Sequence, residues 1–149
     1  MSRPHRGSCR SRRAQRSLRL FVIDGSKALV AAIRKTFGRR ALIQRCQVHK
    51  RRNVEDHLPE SMKKQAGWTM TTAYRCGHFE RAKRMLAALA RQLDKKYPST
   101  AASLREGLDE TLTVLRFGLP SGLERTLATT NAFEFVNSRI RKKTHNVTK

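Results

Sequence analysis

Leu18-Arg19-Leu20-Phe21-Val22-Ile23 runs directly into Asp24-Gly25, and from Ser26 the apolar positions change period, with Leu29, Ala32, Ile33 and Phe37 on one helical face. A short run of β-branched and aromatic residues ending on a turn pair reads as a buried strand. The helix that follows should stop at Gly38, where a residue without a β-carbon suits the C-terminal cap. Ala41-Leu42-Ile43-Gln44 gives a second short apolar run. Strand, helix and strand within about 25 residues form a βαβ unit, whose crossover makes the two strands parallel.

Beyond Cys46 the pattern is helical almost throughout, with expected helices near 49–57, 60–75, 78–95 and 99–117. Phe79, Ala82, Leu86, Leu89 and Leu93 make one apolar stripe, and Leu104, Leu108, Leu112 and Leu115 make another. Such stripes face a shared core, so these helices should pack as a small α-domain. Trp68, the only tryptophan, is expected to pack there, with stacking on an unpaired base as the alternative. Gly118, Pro120 and Gly122 mark a loop. Thr129-Thr130-Asn131 then begins a last helix with Phe133, Val136 and Ile140 turned inward. The chain shows no internal repeat. The expected fold class is α/β, mostly helical.

The 149 residues hold 33 Lys and Arg against 11 Asp and Glu, a formal charge of +22. Colloidal stability needs far less, so the excess calls for a polyanionic partner. Nucleic acid comes first, because each neutralised phosphate releases condensed counterions. A membrane is a poorer match, since no segment approaches the roughly 18 uninterrupted apolar residues of a spanning helix. No apolar run follows the basic N-terminus as a secretory signal requires. Cys9, Cys46 and Cys76 are an odd number without secretory context, so reduced thiols are expected. Residues 1–19 carry seven arginines and no acid. Residues 1–17 are therefore read as a basic, disordered arm, although their composition also resembles a mitochondrial transit peptide.

Two carboxylates stand out. Asp24 ends the first strand, where open parallel sheets place ligand-binding groups; Asp24-Gly25 is equally a common turn pair. Glu134 closes Asn131-x-x-Glu134, which has the spacing of a capping box, and it could instead project toward the strand end that carries Asp24. Both acids would then face one cavity ringed by Lys and Arg, as magnesium-dependent phosphoryl transfer on DNA requires. Cys46-x-x-His49 has zinc-knuckle spacing and Cys76-x-His78 could complete four ligands, but the second pair is poorly spaced and no zinc is expected. Lys50, Arg51 and Arg52, with Arg139, Arg141, Lys142 and Lys143, form basic clusters expected to contact phosphates.

The stretch from Leu20 to Leu29, then Gln44-Arg45-Cys46-Gln47-Val48-His49 with Asn53, then Thr129-Thr130-Asn131-Ala132-Phe133-Glu134 and its basic continuation, resembles the Mutator-type bacterial insertion-sequence transposases. Order and spacing match over about residues 18–149. The resemblance implies a DNA transposase with an RNase H-like core, of which 18–57 would supply a strand-helix-strand-helix portion. An all-α insertion would occupy 58–128, and 129–149 would be the catalytic-type helix with its basic tail. Asp24 would be the second member, and Glu134 the third, of an Asp-Asp-Glu triad holding Mg2+ or Mn2+. Cys46, His49, Asn53, Thr130 and Asn131 would be structural signature residues. The implied reaction is strand cleavage and joining at element ends, with one metal activating a nucleophile and the other steadying the leaving oxygen.

The family's first Asp lies upstream, and residues 1–19 contain no acid. The chain is therefore expected to be an N-terminally truncated enzyme, inactive alone. The alternative is a non-catalytic DNA-binding fragment that regulates a full-length transposase. Expected partners are DNA, a full-length transposase and a second copy of the chain, in a bacterial cytoplasm, on the nucleoid when DNA-bound. A basic RNA-binding protein would explain the charge but none of the three ordered motifs.

Overall fold

A computed structural model of the chain describes residues 17–131, 134 and 135. Strand β1, Arg19–Ile23, and strand β2, Ala41–Arg45, form a two-stranded parallel sheet in which Phe21 pairs with Ile43 and Ile23 with Arg45. Helix α1, Lys27–Phe37, joins them through a short 3-10 turn, Gly38–Arg40. Ser26 caps α1 by accepting the Leu29 N–H at 3.4 Å, and Gly38 ends it at a φ of +53°. Side chains alternate along each strand. One set, Phe21, Ile23, Ala41 and Ile43, packs with Val30, Ile33 and Phe37 of α1. The other set includes Gln44, which is fully buried.

Helices α2, Gln47–Glu55, α3, Glu60–Arg75, α4, Phe79–Asp94, and α5, Pro98–Arg105, follow. Their apolar faces meet in one core containing Val54, Leu58, Met70, Leu86, Leu93 and Leu104. The stripe on α4 is strong enough to place it centrally, packed against both α3 and α5. Cys46 and Cys76 are both free. No helix among the described residues is long and apolar enough to cross a membrane.

The expected single helix over 99–117 is three elements instead: α5, the one-turn α6, Leu108–Thr111, and a 3-10 turn, Thr113–Phe117. The break falls at Gly107, whose φ is +63°. A β-carbon there would come within 2.6 Å of the Arg45 guanidinium. The leucine spacing was a true burial signal, since Leu104, Leu112 and Leu115 are all buried. It could not show that the chain turns to pass over Arg45. A second departure is α7, Ser121–Leu127, which starts just after Pro120 where only a loop was expected. Trp68 also departs from expectation: it is 70% exposed, because its side of α3 lies opposite the buried Ala66, Met70 and Ala73.

Gly107→Ala should lower stability by more than Gly118→Ala. Both sites have positive φ, which costs an L-residue roughly 1–2 kcal/mol, but only Gly107 has a side chain pressed against it. Urea-unfolding midpoints compare the two directly. Equal losses would show that the Arg45 contact constrains nothing.

Candidate active site

Asp24 immediately follows β1 and is exposed. Its Oδ1 accepts the Ser26 N–H at 3.1 Å, so the residue does close a local turn before α1. That bond uses one carboxylate oxygen and leaves the group facing solvent at the strand end.

The position of β1 relative to the rest of the site is set through Cys46. The Cys46 N–H donates to the Ile23 carbonyl at 2.7 Å, on the residue just before Asp24. The Cys46 sulfur, fully buried, accepts the Thr130 N–H at 3.4 Å. Next to it the Gln47 N–H donates to the Ala128 carbonyl at 2.9 Å. The chain thus leaves this point into α2 and returns to it 84 residues later. Thr130 in turn holds Glu134: its hydroxyl donates to Oε1 at 2.5 Å, and its carbonyl accepts the Glu134 N–H at 3.0 Å.

His49, one turn into α2, closes the arrangement. Its Nδ1 lies 3.4 Å from the Thr130 hydroxyl and its Nε2 3.6 Å from Glu134 Oε1. A threonine hydroxyl has one proton, and the short bond to Glu134 uses it. With that proton committed, the Thr130 oxygen is left as an acceptor at its contact with His49 Nδ1. This differs from a capping box, in which the glutamate would reach back to a backbone N–H. Asn131 is exposed, and the carboxylate is bound by the Thr130 hydroxyl instead.

Cys46 and His49 therefore serve the two ends of one joint. Cys76, the other thiol among the described residues, donates to the His78 carbonyl at 3.4 Å. Among the described residues no three of His, Cys, Asp and Glu are grouped so as to hold a metal ion.

Comparison with known proteins identifies the family of the chain. The family model described as "Transposase, Mutator family" matches residues 11–149. The chain belongs to that family. The transposase for insertion sequence element ISRM5 of Rhizobium meliloti is 33% identical over 89% of this chain and 33% of its own length. That for element IST2 of Acidithiobacillus ferrooxidans is 28% identical over 84% of this chain and 41% of its own length. That for IS256 in transposon Tn4001 of Staphylococcus aureus is 28% identical over 83% of this chain and 31% of its own length. The chain thus spans well under half the length of these relatives. No solved structure matches.

Two residues, both preceding Cys46, were quoted within the sequence motif but given no role. Gln44 donates from Nε2 to the Thr111 carbonyl at 2.9 Å and accepts the Val114 N–H at 3.0 Å. The buried amide thereby satisfies a segment that would otherwise leave backbone groups unpaired beside the sheet. Arg45 donates to the Gly25 carbonyl at 3.1 Å and pairs through Nε with Glu110 at 3.0 Å. It fixes the turn next to Asp24. The available signal was two long polar side chains at the end of a buried strand, a place where each needs partners.

The basic residues on α2 separate into different roles. Lys50 is buried, and its ammonium donates to the Ser103 and Glu106 carbonyls at the end of α5. It is not on the surface expected to meet phosphates. Arg51 is half-buried, bonded to the Thr71 hydroxyl at 3.2 Å and near Glu55. Arg52 and Asn53 are exposed. Arg139, Arg141, Lys142 and Lys143, like the inward positions expected at Phe133, Val136 and Ile140, lie outside the described residues.

Burial, with the Arg45 guanidinium nearby, pushes the Lys50 ammonium down from 10.5 to about 8, against the pull of Glu106 and Glu110. Between those two values the unfolded chain keeps a proton that the folded chain has released. Lys50 therefore makes stability rise with pH across that window and fall again as pH drops through it. Urea unfolding of the parent and of Lys50→Met between about pH 8 and about pH 10 isolates this term. The parent should gain stability relative to the variant as pH rises; parallel profiles would refute the burial argument.

Proposed function

We propose that this chain is part of a DNA transposase and that Asp24 and Glu134 are two of the carboxylates that act on DNA phosphodiesters by metal-dependent phosphoryl transfer. The observation that supports this most is the Cys46 joint, which ties the strand end carrying Asp24 to the residue that binds Glu134. Residues 18–57 and 129–149 then belong to one RNase H-like core. The helical segment 58–128 is an insertion that departs from and returns to that joint.

The donor set suits the expected ion. Magnesium and manganese prefer oxygen ligands and are commonly bound by one or two carboxylates together with substrate phosphate. Asp24 offers the oxygen not used by Ser26, and Glu134 the oxygen not used by Thr130 and His49. A bound ion of this kind would polarise the phosphoryl group and activate the attacking oxygen. Thr130 and His49 orient Glu134, and Arg45 holds the turn beside Asp24. DNA is the proposed partner, on the strength of the +22 charge, with exposed Arg52 and the cluster Arg139, Arg141, Lys142 and Lys143 as phosphate contacts.

Manganese titration followed by electron paramagnetic resonance tests the site without requiring turnover. The parent chain should bind Mn2+, Glu134→Gln and Asp24→Asn should each abolish that binding, and His49→Ala should weaken it roughly 10- to 100-fold by releasing Glu134. Unchanged binding in Glu134→Gln would sink the assignment.

A second reading is favoured by the absence, among the described residues, of any group of three His, Cys, Asp or Glu side chains able to hold a metal ion. In that reading the chain binds DNA and enters mixed assemblies with a full-length transposase without cutting DNA itself. Supplied with Mg2+ or Mn2+ and element-end DNA, the chain alone should then give no cleavage, and its co-expression should lower transposition frequency. Glu134-dependent cleavage by the chain alone would overturn this reading and leave the first standing.

A further inference from the structure

Trp68 is 70% exposed on α3, and nothing in the joint or the helical core uses it. On a helix, residues four before, three after and seven after lie on the same side. Lys64, Thr71 and Arg75 therefore share the Trp68 face. Thr71 and Arg75 also line a cavity of about 450 Å³ between α2, α3 and α7. Its other walls include Arg51, Arg125 and Thr129. Thr129 directly precedes Thr130, so this cavity opens beside the joint that holds Glu134.

The charges around the cavity are unequal. Three guanidinium groups, Arg51, Arg75 and Arg125, face one lining carboxylate, Glu124. Arg51 is partly neutralised by Glu55 at 3.5 Å, while among the described residues no carboxylate pairs with Arg75 or Arg125. Trp68 lies outside the cavity, on the same face of α3 as Arg75, and Arg125 donates from Nε to the Ser121 carbonyl at 3.2 Å. A flat aromatic surface on one helix face with guanidinium groups that no carboxylate neutralises has the two features that bind single-stranded nucleic acid: a platform for a base and cations for its phosphate. A duplex offers the cations its phosphates but keeps its base faces covered by neighbouring pairs. The volume is within the range of pockets that enclose small ligands.

We infer that the Lys64-Trp68-Thr71-Arg75 face of α3 and the adjoining cavity bind an unpaired DNA nucleotide, with the base stacked on Trp68 and the phosphate held by Arg75 and Arg125. The choice of DNA over RNA rests on the function proposed above; the preference for an unpaired base rests on this surface alone. A nucleotide held here lies next to Thr129 and Thr130, so the site serves to keep a strand separated close to the carboxylates.

Trp68 is the only tryptophan, so its fluorescence reports on the site directly. The chain is titrated with an oligothymidylate of roughly 12 nucleotides, an oligouridylate of equal length and a duplex of equal length, at several salt concentrations. The oligothymidylate should quench the emission and the duplex should bind with little quenching. Trp68→Ala should weaken oligothymidylate binding, measured by anisotropy of a labelled strand, roughly 5- to 150-fold, with Trp68→Phe retaining most of it and duplex affinity unchanged in both. Thermal melting checks that the exposed substitutions leave the fold intact. Duplex binding together with no quenching by the oligothymidylate and no effect of Trp68→Ala on its affinity overturns this inference and leaves the proposed function standing. Failure to bind any DNA overturns both. Stronger quenching by the oligouridylate than by the oligothymidylate overturns the assignment to DNA.

Discussion

Cys46 has no exposed surface and commits both its amide N–H and its sulfur to residues far from it in sequence. The amide extends the sheet register by one more bond, onto Ile23, so that the strand ends of β1 and β2 are held level where Asp24 begins. The sulfur takes the amide of Thr130. Arg45, one residue earlier, does the same for two other stretches, bonding the Gly25 carbonyl and pairing with Glu110. A buried guanidinium left without partners would be costly. Its bond to the turn after β1 and its ion pair with Glu110 of α6 hold the helical region against the end of the sheet. A two-stranded sheet has little stability of its own, and here its second strand is reinforced by Gln44, Arg45 and Thr113 bonds to neighbouring segments.

The strand-helix-strand unit was legible from sequence because two patterns meet there without conflict. Short runs of β-branched, aromatic and other apolar residues mark β1 and β2, and a 3.6-residue stripe with a serine before it and a glycine after it marks α1. Helix α4 was legible from the same kind of stripe, at Phe79, Ala82, Leu86, Leu89 and Leu93. What could not be read was decided by tertiary contacts. The leucine stripe over 99–117 kept its burial but lost its continuity to Gly107, because the segment bends over a guanidinium from β2. Trp68 was assigned to the core by residue type, yet its angular position on α3 points away from Ala66, Met70 and Ala73. Helix α7 was hidden by Pro120 and Gly122, although a proline just before a first helical turn is a permissive position.

The candidate site was legible as a set of motifs and much less so as a geometry. Asp24, Cys46, His49, Thr130 and Glu134 were all marked, but spacing alone gave Glu134 a capping role that its bond to the Thr130 hydroxyl replaces. The roles within Gln44-Arg45-Cys46 were also not separable in advance, since a polar residue ending a strand gives no sign of which distant carbonyl it will meet. Lys50 shows the same limit for charge. It sits in a basic run with Arg51 and Arg52, and burial alone distinguishes a cation that caps the end of α5 from one that faces solvent.

The two carboxylates are held with unequal firmness, and the cause is the chemistry of the joint. Asp24 follows a strand whose end is fixed by backbone bonds and by a buried guanidinium. Glu134 depends on a thiol sulfur, which is a weak acceptor, and on a hydroxyl-carboxylate bond open to solvent. An acid arriving from the far end of the sequence through such bonds is free to adjust as ligands approach, while its partner on the strand is not. His49 limits that freedom by bonding the same hydroxyl from α2. The Cys46-x-x-His49 spacing follows from this geometry: one helical turn separates the atom that positions the Thr130 backbone from the ring that orients its side chain.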